Sequence, residues 1–156
     1  MDEARTLYDR SLELKRRVGD VQGEAPTLHQ IAVLDADQGR VDEARTLYER
    51  ALELERRIGD EAGKLATSIE MAMLDHRSGR RLQARQHLEE ALEQARALRH
   101  AAYEARCLDL MGVFDRDEGR PAGARARWSA ALALYRRLRM PGEAKEIEEE
   151  LALLPP

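Results

Sequence analysis

Between residues 41 and 58 the apolar side chains Val41, Ala44, Tyr48, Ala51, Leu52, Leu54 and Ile58 fall mainly three and four residues apart. That spacing gathers them on one face of a helix, with charged side chains opposite. Asp42 and Glu43 open the segment and Arg56 and Arg57 close it. Each charge sits at the end where the helix dipole favours it. Gly59 then offers the left-handed conformation that ends a helix. A second helix, "EAGKLATSIEMAMLDHRSG", follows and stops at Gly79 by the same logic. Pro26 is placed in the first turn of its helix, where a missing N–H costs little, and Pro121 and Pro141 fall at helix boundaries. No alternating strand pattern occurs anywhere in the chain.

The pattern then repeats. Residues 2–20, "DEARTLYDRSLELKRRVGD", return as "DEARTLYERALELERRIGD" at 42–60. Rows 1–40 and 41–80 are identical at 22 of 40 positions. Ala4, Ala44, Ala84 and Ala124 share a column, each followed by an arginine, and Leu12, Leu52, Leu92 and Leu132 share another. Gly-Arg closes three rows, at residues 39–40, 79–80 and 119–120. A fixed period in this range marks a stacked array. Each helix pair is too small to bury its own apolar face, and the next copy covers it.

Composition narrows what such an array does. The 156 residues hold 43% hydrophobic, 36% charged and only 4% aromatic residues, a helix-forming mixture. The net charge is −4, with basic and acidic residues interleaved, so there is no basic stripe for a phosphate backbone and no nucleic-acid partner is expected. No apolar run approaches the ~20 residues of a membrane span, and the N-terminal residues lack a signal-peptide core. A single cysteine, Cys107, excludes an internal disulfide framework and suits the cytoplasm.

The columns resemble the tetratricopeptide repeat (TPR) over essentially the whole chain. The motif reads Leu28, Ile31-Ala32, Gly39, Ala44, Tyr48 and Ala51-Leu52. It returns as Leu108, Met111-Gly112, Gly119, Ala124, Trp128 and Ala131-Leu132. The middle copy departs from it, with Ser68 for the first Leu and Leu88 for the aromatic. The forty-residue period resembles the kinesin-light-chain-like subtype. The resemblance implies an all-α, right-handed solenoid of antiparallel helix pairs, about eight helices in all. It divides the chain into an unpaired second helix at 1–20, complete repeats at 21–60, 61–100 and 101–140, and a capping helix and tail at 141–156. Met1 then takes the place of Val41, and the acidic run Glu148-Glu149-Glu150 faces water. The unpaired start implies the C-terminal piece of a longer protein. In bacteria such arrays often follow a nucleotide-binding regulatory module or a transcriptional regulator.

Catalytic chemistry finds no support. His29, His76, His87 and His100 show neither the i, i+4 pair nor the Cys/His spacing of a metal site. No glycine-rich phosphate loop occurs. Cys107 aligns with Thr27 and Thr67 and reads as a packed thiol. Neither enzyme activity nor a cofactor or metal is expected. The column Asp35, Asp75 and Asp115 reads either as a ladder paired with Arg40, Arg80 and Arg120 or Arg45, Arg85 and Arg125, or as a row of acidic ligands. Its even spacing favours the ladder, since ligands must converge on one point.

Binding is better supported. Leu28, Ile31, Ala32 and Asp35 make the core face of one first helix, and Val33 lies roughly 150° away from it. Its equivalents Met73 and Val113 are apolar too. By resemblance this face lines a concave groove. The groove set is then His29, Val33, Ala36 and Asp37; Ile69, Met73, His76 and Arg77; and Asp109, Val113, Arg116 and Asp117. An apolar floor with charged walls suits an amphipathic or extended protein segment. The same residues can instead pack between neighbouring first helices. The family's carboxylate clamp of Lys, Arg and Asn is not expected here, because Val33, Met73 and Val113 stand in its place. The expected role is a protein- or peptide-binding scaffold. Two alternatives stand beside it: a regulatory segment of a multidomain regulator, and a homodimer through the bare apolar face of residues 1–20, which carries Leu7, Tyr8, Leu12, Leu14 and Val18.

Overall fold

The computed structural model describes residues 2–155, so the expectation for Met1 and the last residue of the tail lie outside the described residues. Among them are eight helices and no strand: α1 (Asp2–Val18), α2 (Val21–Asp37), α3 (Val41–Ile58), α4 (Glu61–Arg77), α5 (Arg81–Ala97), α6 (Ala101–Asp117), α7 (Pro121–Arg137) and α8 (Pro141–Leu153). The all-α class and antiparallel pairing that the resemblance implies are what the chain adopts. No helix is long and apolar enough to cross a membrane among the described residues.

A left-handed residue ends each of the first seven helices, every twenty residues: Gly19, Gly39, Gly59, Gly79, Arg99, Gly119 and Arg139. At each turn the next residue's N–H reaches back to a carbonyl in the last helical turn, as in Asp60 to Glu55 at 2.9 Å and Met140 to Tyr135 at 3.0 Å. These bonds satisfy carbonyls that the helix leaves orphaned. Asp20 and Asp60 then cap the following helices by accepting from the Gly23 and Gly63 amides. Pro26 is placed differently from the expectation. Because Asp20 already starts α2, Val21 is its first residue and Pro26 lies inside the helix. The bond it forfeits belongs to the carbonyl of exposed Gln22, which water can satisfy.

The chain forms two compact units that divide between Ala84 and Arg85. In the first, α2 packs on α1 and α3, and α4 packs on α3 and α2. Leu12, Ala25, Leu28, Ile31, Ala51 and Leu54 make one core cluster, with Tyr8, Val21, Leu47 and Ile58 against it. Ala32, Ala44, Tyr48, Met71 and Leu74 make the next. In the second unit α7 packs on α6 and on α8, around fully buried Trp128.

The two units solve one packing problem with different pairs. Ala32 shares a cluster with Tyr48 in the first. In the second, Gly112 stands in that column beneath the larger Trp128. A Cβ on Gly112 would lie 2.5 Å from the indole Nε1. Gly112→Ala is therefore expected to cost about 1–3 kcal/mol. Trp128→Tyr in the same chain should recover part of it, because the Ala–Tyr pair is already accommodated in the first unit. Urea midpoints of the two single variants and the double variant measure this.

Candidate functional site

The aspartate column is a structural ladder. Asp35 and Asp75 are 0% exposed and Asp115 is 3% exposed. Asp35 accepts from Arg5 of α1 and from Arg40 in the turn after α2. Asp75 accepts from Arg45 of α3 and, at 3.0 Å, from Arg80. Asp115 accepts from Arg85 at 2.7 Å, Arg120 at 2.9 Å and Arg127 at 2.7 Å. Each aspartate thus joins its own turn arginine and the second helix of the preceding repeat, forty residues earlier than the sequence pairing with Arg45, Arg85 and Arg125 suggested. Burial and the nearby charge of Arg80 hold the Arg45 pKa below the usual arginine value. Arg125 finds the next position of the column occupied by Pro155 and donates to its carbonyl at 2.8 Å.

In the first unit, α2 supplies His29, Val33, Ala36 and Asp37, and α4 supplies Ile69, Met73, His76 and Arg77. Val33 is half-buried and packs against the cluster containing Met71 and Leu74. Ala36 does the same. Met73 and His76 are half-buried, and Asp37 and Arg77 are exposed and 4.0 Å apart. Their charges partly cancel across the two helices. Ile69 must be removed from the set, because it is 0% exposed and presents nothing to a ligand. Its row places an aliphatic side chain where α2 carries His29, and an aliphatic side chain there sinks into the core.

His29 is held by a network that periodicity does not reveal. Thr67 Oγ1 donates to Glu55 Oε1 at 2.9 Å, and His29 Nδ1 lies 2.9 Å from the same hydroxyl. With the Thr67 proton committed to Glu55, the His29 Nδ1–H is the donor in that second contact. The ring also meets Tyr48 edge-on, with centroids 5.7 Å apart. Glu55 is 3% exposed and its Oε2 has no partner. In the preceding row Lys15 fills this position and donates to Thr27 Oγ1 at 2.7 Å.

In the second unit, α6 supplies Asp109, Val113, Arg116 and Asp117. Asp109 accepts from Trp128 Nε1 at 3.0 Å. Burial pushes its carboxyl pKa up, opposed by that bond. Arg116 donates to Glu150 at 2.7 Å and to Asp117 at 2.9 Å, and its guanidinium lies 5.8 Å from the Trp128 ring centroid. The bond to Glu150 holds its pKa above the usual value. Asp109 and Val113 line a depression of about 370 Å³ together with Glu146, Ile147, Glu149, Glu150 and Leu153 of α8. Glu150 therefore does not simply face water as the capping expectation had it. The contribution of α8 was missed, yet a signal existed: one more row extends Val33, Met73 and Val113 to Leu153, which is 81% exposed. A depression of about 400 Å³ lies at the α7–α8 turn, lined by Arg136, Arg139, Met140, Pro141, Ala144, Lys145 and Glu148, away from this column. Cys107 is fully buried, and burial pushes its thiol pKa up to about 12, which keeps it protonated and unreactive at neutral pH.

A family model described as tetratricopeptide repeat matches residues 1–57 and 23–97. No curated protein sequence matches the chain. Among solved structures the chain is similar to BtubC (BKLC) from P. vanneervenii, at 22% identity and a TM-score of 0.84, over 96% of this chain and 63% of that one. It is similar to the nearly identical TPR-like repeats of a Podosopora anserina kinesin-light-chain-type protein, at 17% identity and a TM-score of 0.73, over 97% and 75%. A third likeness is to aspartyl phosphate phosphatase F from Bacillus subtilis, at 10% identity and a TM-score of 0.66, over 97% and 43%. At these identities the likeness is one of fold, and the chain spans less than two thirds of the length of BtubC.

Folding raises the pKa of Glu55, chiefly by removing it from water, while the bond from Thr67 opposes the rise. The folded state then holds the proton more tightly than the unfolded chain. The stability this contributes is fully present below the ordinary carboxylate value and is lost as pH climbs through the raised one. Glu55→Gln keeps an acceptor for Thr67 and is expected to remove this slope and raise stability at neutral pH. Urea unfolding of both proteins between pH 4 and 8 checks it; parallel profiles would contradict it.

Proposed function

The chain belongs to the tetratricopeptide repeat family, and from that premise we propose that it binds a protein segment along the faces of its first helices. Repeats of this family build protein-interaction scaffolds and are generally not enzymes. The observation that carries the reading is an apolar pair in each unit, Val33 and Met73 in the first and Val113 and Leu153 in the second. Both pairs stand off the core stripe and stay partly accessible, with charged residues on either side. Val33 and Ala36 also pack inward, so they form a firm floor rather than projecting contacts.

The rim differs between the units. Along α2 and α4, Asp37 faces Arg77. Along α6 and α8, Asp109, Glu146 and Glu149 outweigh Arg116, which Glu150 and Asp117 already neutralise. This balance favours a segment that alternates apolar and basic side chains, of the kind that an amphipathic helix or extended strand presents. A second reading, self-association through α1, is favoured by a separate observation: Leu7, Leu14 and Val18 are 64%, 61% and 77% exposed.

The test is selection from a random peptide library displayed on phage, followed by fluorescence anisotropy on the enriched peptides. The wild type should enrich apolar and basic sequences. Met73→Glu with Val113→Glu should weaken their binding at least ~10-fold, about 1.4 kcal/mol, while circular dichroism stays unchanged. No enrichment, or equal affinity for the variant, would contradict the reading.

A further inference from the structure

Glu55 stands where the repeat needs no carboxylate. The same position holds Lys15 one row earlier, Ala95 one row later and Tyr135 in the last row. Lys15 is well served there, donating to Thr27 Oγ1 at 2.7 Å and to the Gly23 carbonyl at 2.9 Å. Glu55 is not: it is 3% exposed, and its Oε2 has no partner among the described residues. Burying a carboxylate in that state is costly. What Glu55 has instead is a chain of hydrogen bonds across three helices. Thr67 of α4 donates to Glu55 of α3 and accepts from the Nδ1–H of His29 on α2. The same three columns one row on hold Ile69, Ala95 and Cys107, which cannot form it.

The Thr67 hydroxyl has one proton, and where it goes decides the direction of the whole chain. With Glu55 ionised, Thr67 donates to the carboxylate and His29 carries its hydrogen on Nδ1. A protonated Glu55 becomes the donor to Thr67. Thr67 then donates to His29 Nδ1, and the ring carries its hydrogen on Nε2. Resting on the binding role proposed for the first helices α2 and α4, we propose that Glu55, Thr67 and His29 form a proton-linked switch that turns His29 Nε2 from an acceptor into a donor as Glu55 takes up a proton. The ring is neutral in both states. It releases the Nδ1 hydrogen to water and takes one on Nε2 from water, so the net uptake is the one proton on Glu55. Burial favours placing that proton on Glu55, which is almost wholly out of water, over half-buried His29. The charge of Asp60, at the turn into α4, acts in the same direction, and the bond from Thr67 opposes it. Beside the ring, Tyr48 of α3 lies edge-on, and burial keeps its hydroxyl protonated. The charges that reach Tyr48 are of mixed sign: Glu70 and Arg77 of α4 and Asp37 of α2. His29 shares α2 with Val33 and Ala36, so the switch changes the hydrogen-bonding character of the floor that a bound segment meets.

Imidazole nitrogen NMR on the full chain tests the switch, with His29→Gln identifying the His29 signals and carbon NMR following the Glu55 carboxyl. Between about pH 4 and 8, the His29 hydrogen should pass from Nδ1 to Nε2 as pH falls through the raised Glu55 value. Thr67→Val should uncouple the ring from Glu55. Glu55→Gln, which keeps an acceptor for Thr67, should hold one tautomer until the ring itself charges. Circular dichroism verifies that each variant is folded. A ring that charges on both nitrogens while Glu55 stays ionised, or an Nδ1 hydrogen indifferent to the state of Glu55, would overturn the switch. For peptides enriched from the phage library, wild-type affinity should change about 5-fold across the Glu55 titration, the effect of one typical hydrogen bond, and the affinity of Glu55→Gln should not. A tautomer change with constant affinity would overturn the link to binding. Failure to enrich any peptide would overturn the binding role alone, because the NMR measurement needs no ligand.

Discussion

A carboxylate buried at the end of a helix has to be answered by a cation, and that demand organises this chain. Asp35, Asp75 and Asp115 each sit in the last turn of a first helix, almost wholly out of water. An unpaired carboxylate there would cost several kcal/mol. The partners come from two directions: the arginine of the following turn, and the arginine in the first turn of the preceding second helix. The same bond that satisfies the charge therefore fixes how far one helix is advanced along its neighbour. Hydrophobic burial supplies most of the stabilisation, but it is non-directional and tolerates sliding. The ion pairs do not.

Fixing that advance also decides which residues remain available. With the aspartate and its helical neighbours turned to the core, the opposite side of the first helix carries Val33 or Met73 in one unit and Val113 in the other. They stay partly accessible, and Val33 also packs against the cluster that contains Met71 and Leu74. Ala32, Gly112 and the aromatic rings packed against them set how closely second helices approach, as the Gly112–Trp128 pair illustrates. Repeats of this family serve in general as protein-interaction scaffolds.

Much of this was legible in the sequence, because a repeat writes its own alignment. Turn glycines, the aspartate column and the apolar column can be read by stacking rows of forty. Arg99 and Arg139 take the left-handed turn position without a glycine, and the surrounding hydrogen bonds hold them there. What periodicity could not read were substitutions of character within a column. His29, Ile69 and Asp109 align, yet one is tethered to Thr67, one is in the core and one is bonded to Trp128. Glu55 aligns with Lys15, and a charge reversal between equivalent positions, one buried and one half-buried, is invisible to hydropathy. Leu153 escapes the sequence reading because the acidic run of α8 reads as a cap.

The most direct test of the organising role of the aspartates is a double-mutant cycle between Arg45→Met and Asp75→Asn, read by urea unfolding. The account predicts that Asp75→Asn alone costs about 3–5 kcal/mol, and that the pair shows a coupling above ~1 kcal/mol. Losses that simply add, or an Asp75→Asn protein as stable as the wild type, would mean that packing alone sets the register of the helices.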